Sequence, residues 1–164
     1  MPPKVDPNEV RFINIKVFGG EPGPASTLAP KLGPLGLNAK KVGEDIIAAC
    51  NQHKGIRVMI QLKCQNRAAQ VTVVNTSSAL IIKELGKHVR DRKKTKGIKH
   101  SGDLSLEQIK KIAKIMQDEN KSFAKTFAGT VKSVLGTAQS IGITVNKLHP
   151  KKVIEQINKE EIKI

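Results

Sequence analysis

The sequence predicts an α+β protein, with a small N-terminal antiparallel sheet carrying a helix and a compact helical C-terminal domain. Three observations point there. Ile56, Val58, Ile60, Leu62 and Cys64 alternate with Arg57, Met59, Gln61 and Lys63, the two-residue period of a half-buried strand. From Ala79 onward the apolar period becomes that of helices. Between them Asn75-Thr76-Ser77-Ser78 is polar and without strong period, so the domain boundary is expected there. The expected divisions are 10–75 for the N-terminal domain, 76–145 for the C-terminal domain and 146–164 for a C-terminal extension.

Taken in order, Met1–Val10 is polar and proline-containing, is expected to lack regular structure, and has no apolar run that would make a secretory leader. Apolar and polar residues alternate in Ile13–Val17, a strand that Gly19-Gly20 stops. Residues 21–37 carry four prolines and three glycines, which leaves room for a short turn of helix but not a long one. Asn38 is an N-cap for a helix over Ala39–Gln52, with Val42, Ile46, Ala49 and Cys50 on its inner face. After the Ile56–Cys64 strand, Gln65–Ala68 is a turn and Gln70–Val74 the hairpin partner.

In the second half, Ala79–Leu85 reads as a short helix capped by Ser77 or Ser78 and ended by Gly86. Ser105 to Gln108 fits a capping box. It opens a helix to about Asp118 that buries Leu106, Ile109, Ile112, Ala113 and Met116, with Lys110, Lys111 and Lys114 solvated. A further helix is expected over Ser122–Gly142, then an extended Ile143–Val145 and an amphipathic helix over Pro150–Ile162 with Pro150 at its first position.

The Ser122–Gly142 segment holds the candidate site. At 100° per residue, Phe123, Phe127, Val131, Val134, Leu135, Ala138 and Ile141 share one side and would be buried. The opposite arc has Lys125, Gly129, Lys132, Ser133, Gly136, Gln139 and Ser140, with Thr137 at its edge. Each glycine there costs about 1 kcal/mol of helix propensity relative to alanine. A face without bulk lets another backbone approach, and hydroxyls and an amide supply hydrogen bonds when it does. Two alternatives stand beside a nucleic-acid contact: a helix–helix seam of small residues, or a helix that breaks at Gly136.

Composition favours the nucleic acid. Net charge is +15 over 164 residues, with 19 Lys and Arg against 9 acids in 76–164. A protein this basic calls for a polyanionic partner. Lys87–Gly102 alone carries Lys87, Arg90, Arg92, Lys93, Lys94, Lys96 and Lys99 against Asp91. Such a run repels itself when alone and can order on phosphates, releasing counterions; it also reads as a nuclear-localisation signal. The chain has no Trp or Tyr, and Phe12, Phe18, Phe123 and Phe127 all fall beside a strand or on a helix's apolar side. The expected ligand is therefore a folded shape read through its backbone, rather than splayed bases stacked on aromatic platforms.

Other classes fit poorly. Residues 19–36 are glycine-rich but lack the G-x-x-x-x-G-K-[ST] spacing of a phosphate-binding loop. His53, His88, His100 and His149 are scattered, and no carboxylate pair is spaced for acid–base work, so no enzyme is expected. Cys50 and Cys64 are too few for a metal cluster, so no metal and no cofactor are expected. No run approaches 18 apolar residues, so no membrane span is expected. A basic DNA- or chromatin-binding protein shares the charge logic and is the alternative, although no helix-turn-helix or zinc spacing is visible.

Two segments carry a family resemblance. Thr27-Leu-Ala-Pro-Lys-Leu-Gly-Pro-Leu-Gly-Leu-Asn38 and Gly136-Thr-Ala-Gln-Ser-Ile-Gly142 resemble the proline-rich segment and the last RNA-binding helix of the ribosomal large-subunit stalk-base family numbered eleven in bacteria and twelve in eukaryotes. The order and spacing fit over residues 10–145, and the basic 90–100 stretch and the tail after Val145 resemble the eukaryotic branch. The resemblance implies a non-enzymatic constituent of the large ribosomal subunit. Its C-terminal domain would bind the compact rRNA of the GTPase-associated centre, beside stalk proteins and translational GTPases that bind transiently. It implies rRNA contacts at Lys87, Arg92, Lys93, Lys94, Lys96, Lys99, Gly129, Lys132, Ser133, Gly136, Thr137, Gln139 and Ser140. Pro30, Lys31, Gly33, Pro34 and Gly36 would form the factor-facing element. The location implied is the cytoplasmic ribosome, with nuclear and nucleolar transit during assembly. Bacterial members have adjacent prolines where this chain has Ala29-Pro30, so their binding of thiopeptide antibiotics is not carried over.

Overall fold

The structure is a computed structural model that describes residues 9–21, 25–66, 68–86, 100–162 and 164. The chain divides into two compact units between Val74 and Asn75. The expectation for Met1–Val10 falls almost wholly outside the described residues, as does most of the basic stretch 87–102.

The first unit is a three-stranded antiparallel sheet in the order β1 (Arg11–Phe18), β2 (Arg57–Gln65), β3 (Ala68–Val74). Ile15 pairs with Ile60, and Leu62 with Val71. The alternation in β2 is realised: Val58, Ile60, Leu62 and Cys64 are buried on one face with Ile15 and Val17 of β1. Two helices, α1 (Ala25–Leu32) and α2 (Ala39–Ala49), complete that core with Leu28, Leu32, Val42 and Ile46. Asn38 caps α2 by accepting the Lys40 N–H at 3.0 Å. Just beyond β1, Gly19 has to be glycine, because a Cβ there would lie 1.9 Å from the His53 carbonyl oxygen. Burial pushes the Cys50 and Cys64 thiols up, so both stay protonated core residues.

Two expectations for this unit need correction. Helix α1 runs two turns through Pro30, where composition predicts only a short turn. Leu28 and Leu32, four residues apart, are 1% and 0% exposed, and their burial offsets the hydrogen bond that the proline removes. Helix α2 stops at Ala49, which is exposed, and the chain tightens into a 3₁₀ turn over Asn51–His53.

The second unit packs α3 (Ser77–Leu85), α4 (Leu106–Asp118), α5 (Phe127–Ile141) and α6 (Pro150–Asn158) around one core. That core includes Ile81, Ile109, Ile112, Val131, Val134, Leu135 and Ala138. The segment 146–164, set apart in the sequence as an extension, contributes Val153 and Ile157 to it. Thr76, and not Ser77 or Ser78, caps α3, because the helix begins two residues earlier than the periodicity indicates. The capping box of Ser105 and Gln108 opens α4.

The main correction concerns α5. It starts at Phe127, with Thr126 as N-cap accepting the Gly129 N–H at 3.2 Å. Phe123 therefore lies before the helix, and its side chain is wholly exposed, at 106%. The expected burial of Phe123 on an apolar stripe does not occur.

A two-residue parallel pair, β4 (Asp103–Leu104) with β5 (Thr144–Val145), ties the start of α4 to the end of α5. The Asp103 carboxylate accepts the Thr144 hydroxyl at 2.6 Å and the Lys147 N–H at 2.7 Å. Those bonds, the Thr144 hydroxyl first, hold its carboxyl below the ordinary value of 3.8. A lowered carboxylate pKa stabilises the fold above the unfolded value, and that contribution is lost as pH falls through the lowered folded value. Asp103→Asn is therefore expected to lower the urea midpoint at neutral pH. The gap from the parent should close as pH falls below 3.8. A gap that stays constant with pH would show that the carboxylate's charge does not matter here.

Candidate nucleic-acid interface

Helix α5 is held on three sides, packing against α3, α4 and α6. Val131, Val134, Leu135 and Ala138 are all buried, so the rotation of the helix about its own axis is fixed. Gly142, with φ of 96°, ends it by donating to the Ala138 and Gln139 carbonyls. What remains outward is a row of small polar residues at helical spacing: Ser133, Gly136, Thr137 and Ser140. Ser133, Gly136, Gln139 and Ser140 are exposed, and Thr137 is half-buried.

The two glycines differ. At Gly136 an added Cβ would meet nothing within 4 Å. At Gly129 it would sit 2.9 Å from the Ala124 Cβ. Gly129 is small because the Ser122–Thr126 segment folds over the first turn of α5, which is a packing reason. Gly136 has no packing reason within its own unit. Neither alternative from the sequence describes it, since the helix does not break there and no helix of the same unit covers it.

Two hydroxyls of this row, those of Thr137 and Ser140, bond to the protein itself. Thr137 Oγ1 donates to the Ser133 carbonyl at 3.2 Å and lies 3.4 Å from the Ser77 hydroxyl of α3. Ser140 Oγ donates to the Thr137 carbonyl at 2.7 Å. Each hydroxyl keeps lone pairs for an incoming donor, so the face presents fixed acceptors. Lys132 is half-buried and lies toward α6, in a groove with Ala128, Ile157 and Glu160. It flanks the row on the same side as Gln139.

Lys87, Arg92, Lys93, Lys94, Lys96 and Lys99 lie outside the described residues. The points between which that stretch runs are described. A Cβ on Gly102 would fall 2.5 Å from Leu85 Cδ2, so the chain leaves α3 and returns at adjacent positions. Gly102 O also accepts the Thr144 N–H at 2.9 Å, just beyond the C-terminal end of α5. In the first unit Pro30, Lys31, Gly33, Pro34 and Gly36 are all exposed on α1 and the 3₁₀ turn Gly33–Leu35. Gly36, with φ of 67°, closes that turn by donating to the Gly33 carbonyl at 3.0 Å. The structure thus groups the α5 residues on one face of the second unit and the proline-rich residues on one element of the first.

Periodicity misses three contributors, Ser77, Lys121 and Phe123, which line a cleft beside Ser133 and Thr137. The N-cap character of Thr126 is the available signal, since a helix starting there releases residues 121–125 from the apolar stripe. Among the described residues no group of three His, Cys, Asp or Glu side chains converges to hold a metal ion.

The comparisons with known proteins agree with a nucleic-acid-binding second unit. Residues 73–145 match the family described as Ribosomal protein L11, RNA binding domain. Residues 13–69 match Ribosomal protein L11, N-terminal domain. The chain belongs to the ribosomal protein L11 family. Among its relatives are the large ribosomal subunit protein uL11 of Candida albicans and uL11A of Saccharomyces cerevisiae. Each is 52% identical over 164 residues, covering 100% of this chain and 98% of the relative. The uL11 of Caenorhabditis elegans is 51% identical over the same length.

The glycine contrast yields a stability test. Gly136→Ala is expected to raise the unfolding free energy by about 0.5–1 kcal/mol, because the helix gains propensity and the methyl meets open space. Gly129→Ala is expected to gain nothing or to lose stability against Ala124. Urea denaturation of both variants checks this, and equal gains would remove the distinction between the two positions.

Proposed function

We propose that this chain is a structural, non-enzymatic constituent of the large ribosomal subunit. Its second unit binds the folded rRNA of the GTPase-associated centre at the stalk base. The observation that carries this reading is the Ser133–Ser140 face of α5. It offers an open glycine at Gly136, fixed acceptor hydroxyls and basic flanks, within a domain whose family is described as RNA-binding.

In this reading Gly136 admits a sugar–phosphate backbone that any side chain would hold away. Ser133, Thr137, Gln139 and Ser140 then bond to riboses and base edges in the shallow minor groove of folded RNA. Gly129 takes part through the turn that it allows, and Lys132 neutralises phosphate at the margin. The Lys87–Lys99 stretch supplies a dense block of positive charge, with Lys87, Arg92, Lys93, Lys94, Lys96 and Lys99 as phosphate contacts. The exposed Pro30, Lys31, Gly33, Pro34 and Gly36 element faces arriving translational GTPases, and stalk proteins are neighbours. The chain works on the cytoplasmic ribosome after passing through the nucleolus during assembly.

Binding of the full chain to a transcript of the large-subunit stalk-base rRNA tests the reading. Gly136→Val is expected to weaken binding at least tenfold while circular dichroism remains that of the parent. If the variant unfolds instead, the position serves packing. Lys93→Ala combined with Lys94→Ala is expected to reduce the salt slope of log affinity by up to about 2, roughly 0.7–0.9 for each phosphate no longer neutralised. An unchanged slope would leave those lysines as a localisation signal. Equal affinity for random duplex DNA at physiological salt would favour the DNA-binding alternative.

A further inference from the structure

We infer that the cleft beside α5 receives one unstacked nucleobase of the bound RNA, with the Phe123 ring as its stacking platform. This inference rests on the rRNA-binding reading above. It also revises the expectation that no aromatic side chain is available to a base.

Phe123 is wholly exposed, one of four aromatic side chains in the chain. It lines a cleft of about 280 Å³ together with the apolar side chains of Met116, Val134 and Ala124. That volume falls just below the roughly 300–1,000 Å³ of clefts that take drug-sized ligands, which suits one planar base. The lining is also polar, with the Ser77 and Thr137 hydroxyls 3.4 Å apart and exposed Ser133. An apolar ring and hydrogen-bonding groups in one cleft match how proteins hold a splayed RNA base.

Position supports the same occupant. Ser133 and Thr137 belong both to the cleft and to the outward row of α5, so a nucleotide leaving a helix docked on that row enters the cleft directly. The segment that carries the ring is also held in place. Ser122 Oγ lies 2.8 Å from Thr130 Oγ1, and the Ala124 N–H donates to Ser122 Oγ at 3.3 Å. The segment that carries Phe123 is thus fastened to the first turns of α5. Lys121, which also lines the cleft, pairs with Glu119, and Lys125 is exposed. An apolar ring with lysines two residues before and after it in the chain suits a base attached to phosphates better than an apolar protein segment.

The test uses the full chain and the stalk-base rRNA transcript. Phe123→Ala is expected to weaken binding about tenfold at fixed salt, within the range measured for removal of one base–aromatic stack. The salt slope should stay unchanged, because every phosphate contact is kept. Since the parent has no tryptophan, Phe123→Trp supplies a single fluorescent reporter. That variant is expected to retain parental affinity, and its indole emission to fall when the RNA binds. Parental affinity in Phe123→Ala, or an unquenched indole in an RNA complex that forms normally, overturns the inference and leaves the rRNA reading intact. If Phe123→Ala binds RNA normally but is stripped from large subunits by salt washing, the ring contacts a protein and the inference is wrong. If the parent does not bind the transcript, the rRNA reading fails and the base-binding cleft falls with it.

Discussion

The burial of one side of α5 is the constraint on which the second unit depends. Val131, Val134, Leu135 and Ala138 are enclosed by neighbouring helices, which leaves the helix no freedom to turn. Everything functional on the opposite side inherits its direction from that packing. A stripe of hydroxyls and glycine on an isolated helix would present no defined surface, because a segment of this length is marginal alone. Fixed by its core side, the same stripe becomes a surface with known spacing.

The ends of α5 are secured as firmly as its middle. Thr126 and Gly142 cap it, and the β4–β5 pair joins its exit to the start of α4. Asp103 holds that junction through Thr144 and Lys147. The same junction places Gly102, where the basic stretch rejoins the described fold, next to the helix's C-terminal end. A strongly basic segment and a bulk-free helix face are thereby fastened at one point, although they are far apart in sequence.

The first unit solves a different problem. Proline-rich segments rarely contribute to cores, yet Leu28 and Leu32 are buried and α1 packs against α2, while Pro30, Lys31, Gly33, Pro34 and Gly36 stay exposed. Two buried leucines at helical spacing hold the element, and the residues between and after them are free for contact.

Much of this is legible in the sequence. The alternation of β2, the Ser105–Gln108 capping box, the Asn38 cap and the Pro150 start each encode local structure through neighbours within a few residues, so a linear reading reaches them. The family likeness rests on the Thr27–Asn38 and Gly136–Gly142 segments, which are likewise local. Three features are decided only in three dimensions. Helix α1 persists through Pro30 because distant core residues bury Leu28 and Leu32, a gain that propensity cannot weigh. Gly129 and Gly136 look alike on a helical projection, and only the fold-back of Ala124 separates them. Phe123 matches the apolar stripe by spacing alone. Its exposure follows from where Thr126 starts the helix and from the hydrogen bond between Ser122 and Thr130. Periodicity locates a face, but capping and non-local packing decide which residues belong to it.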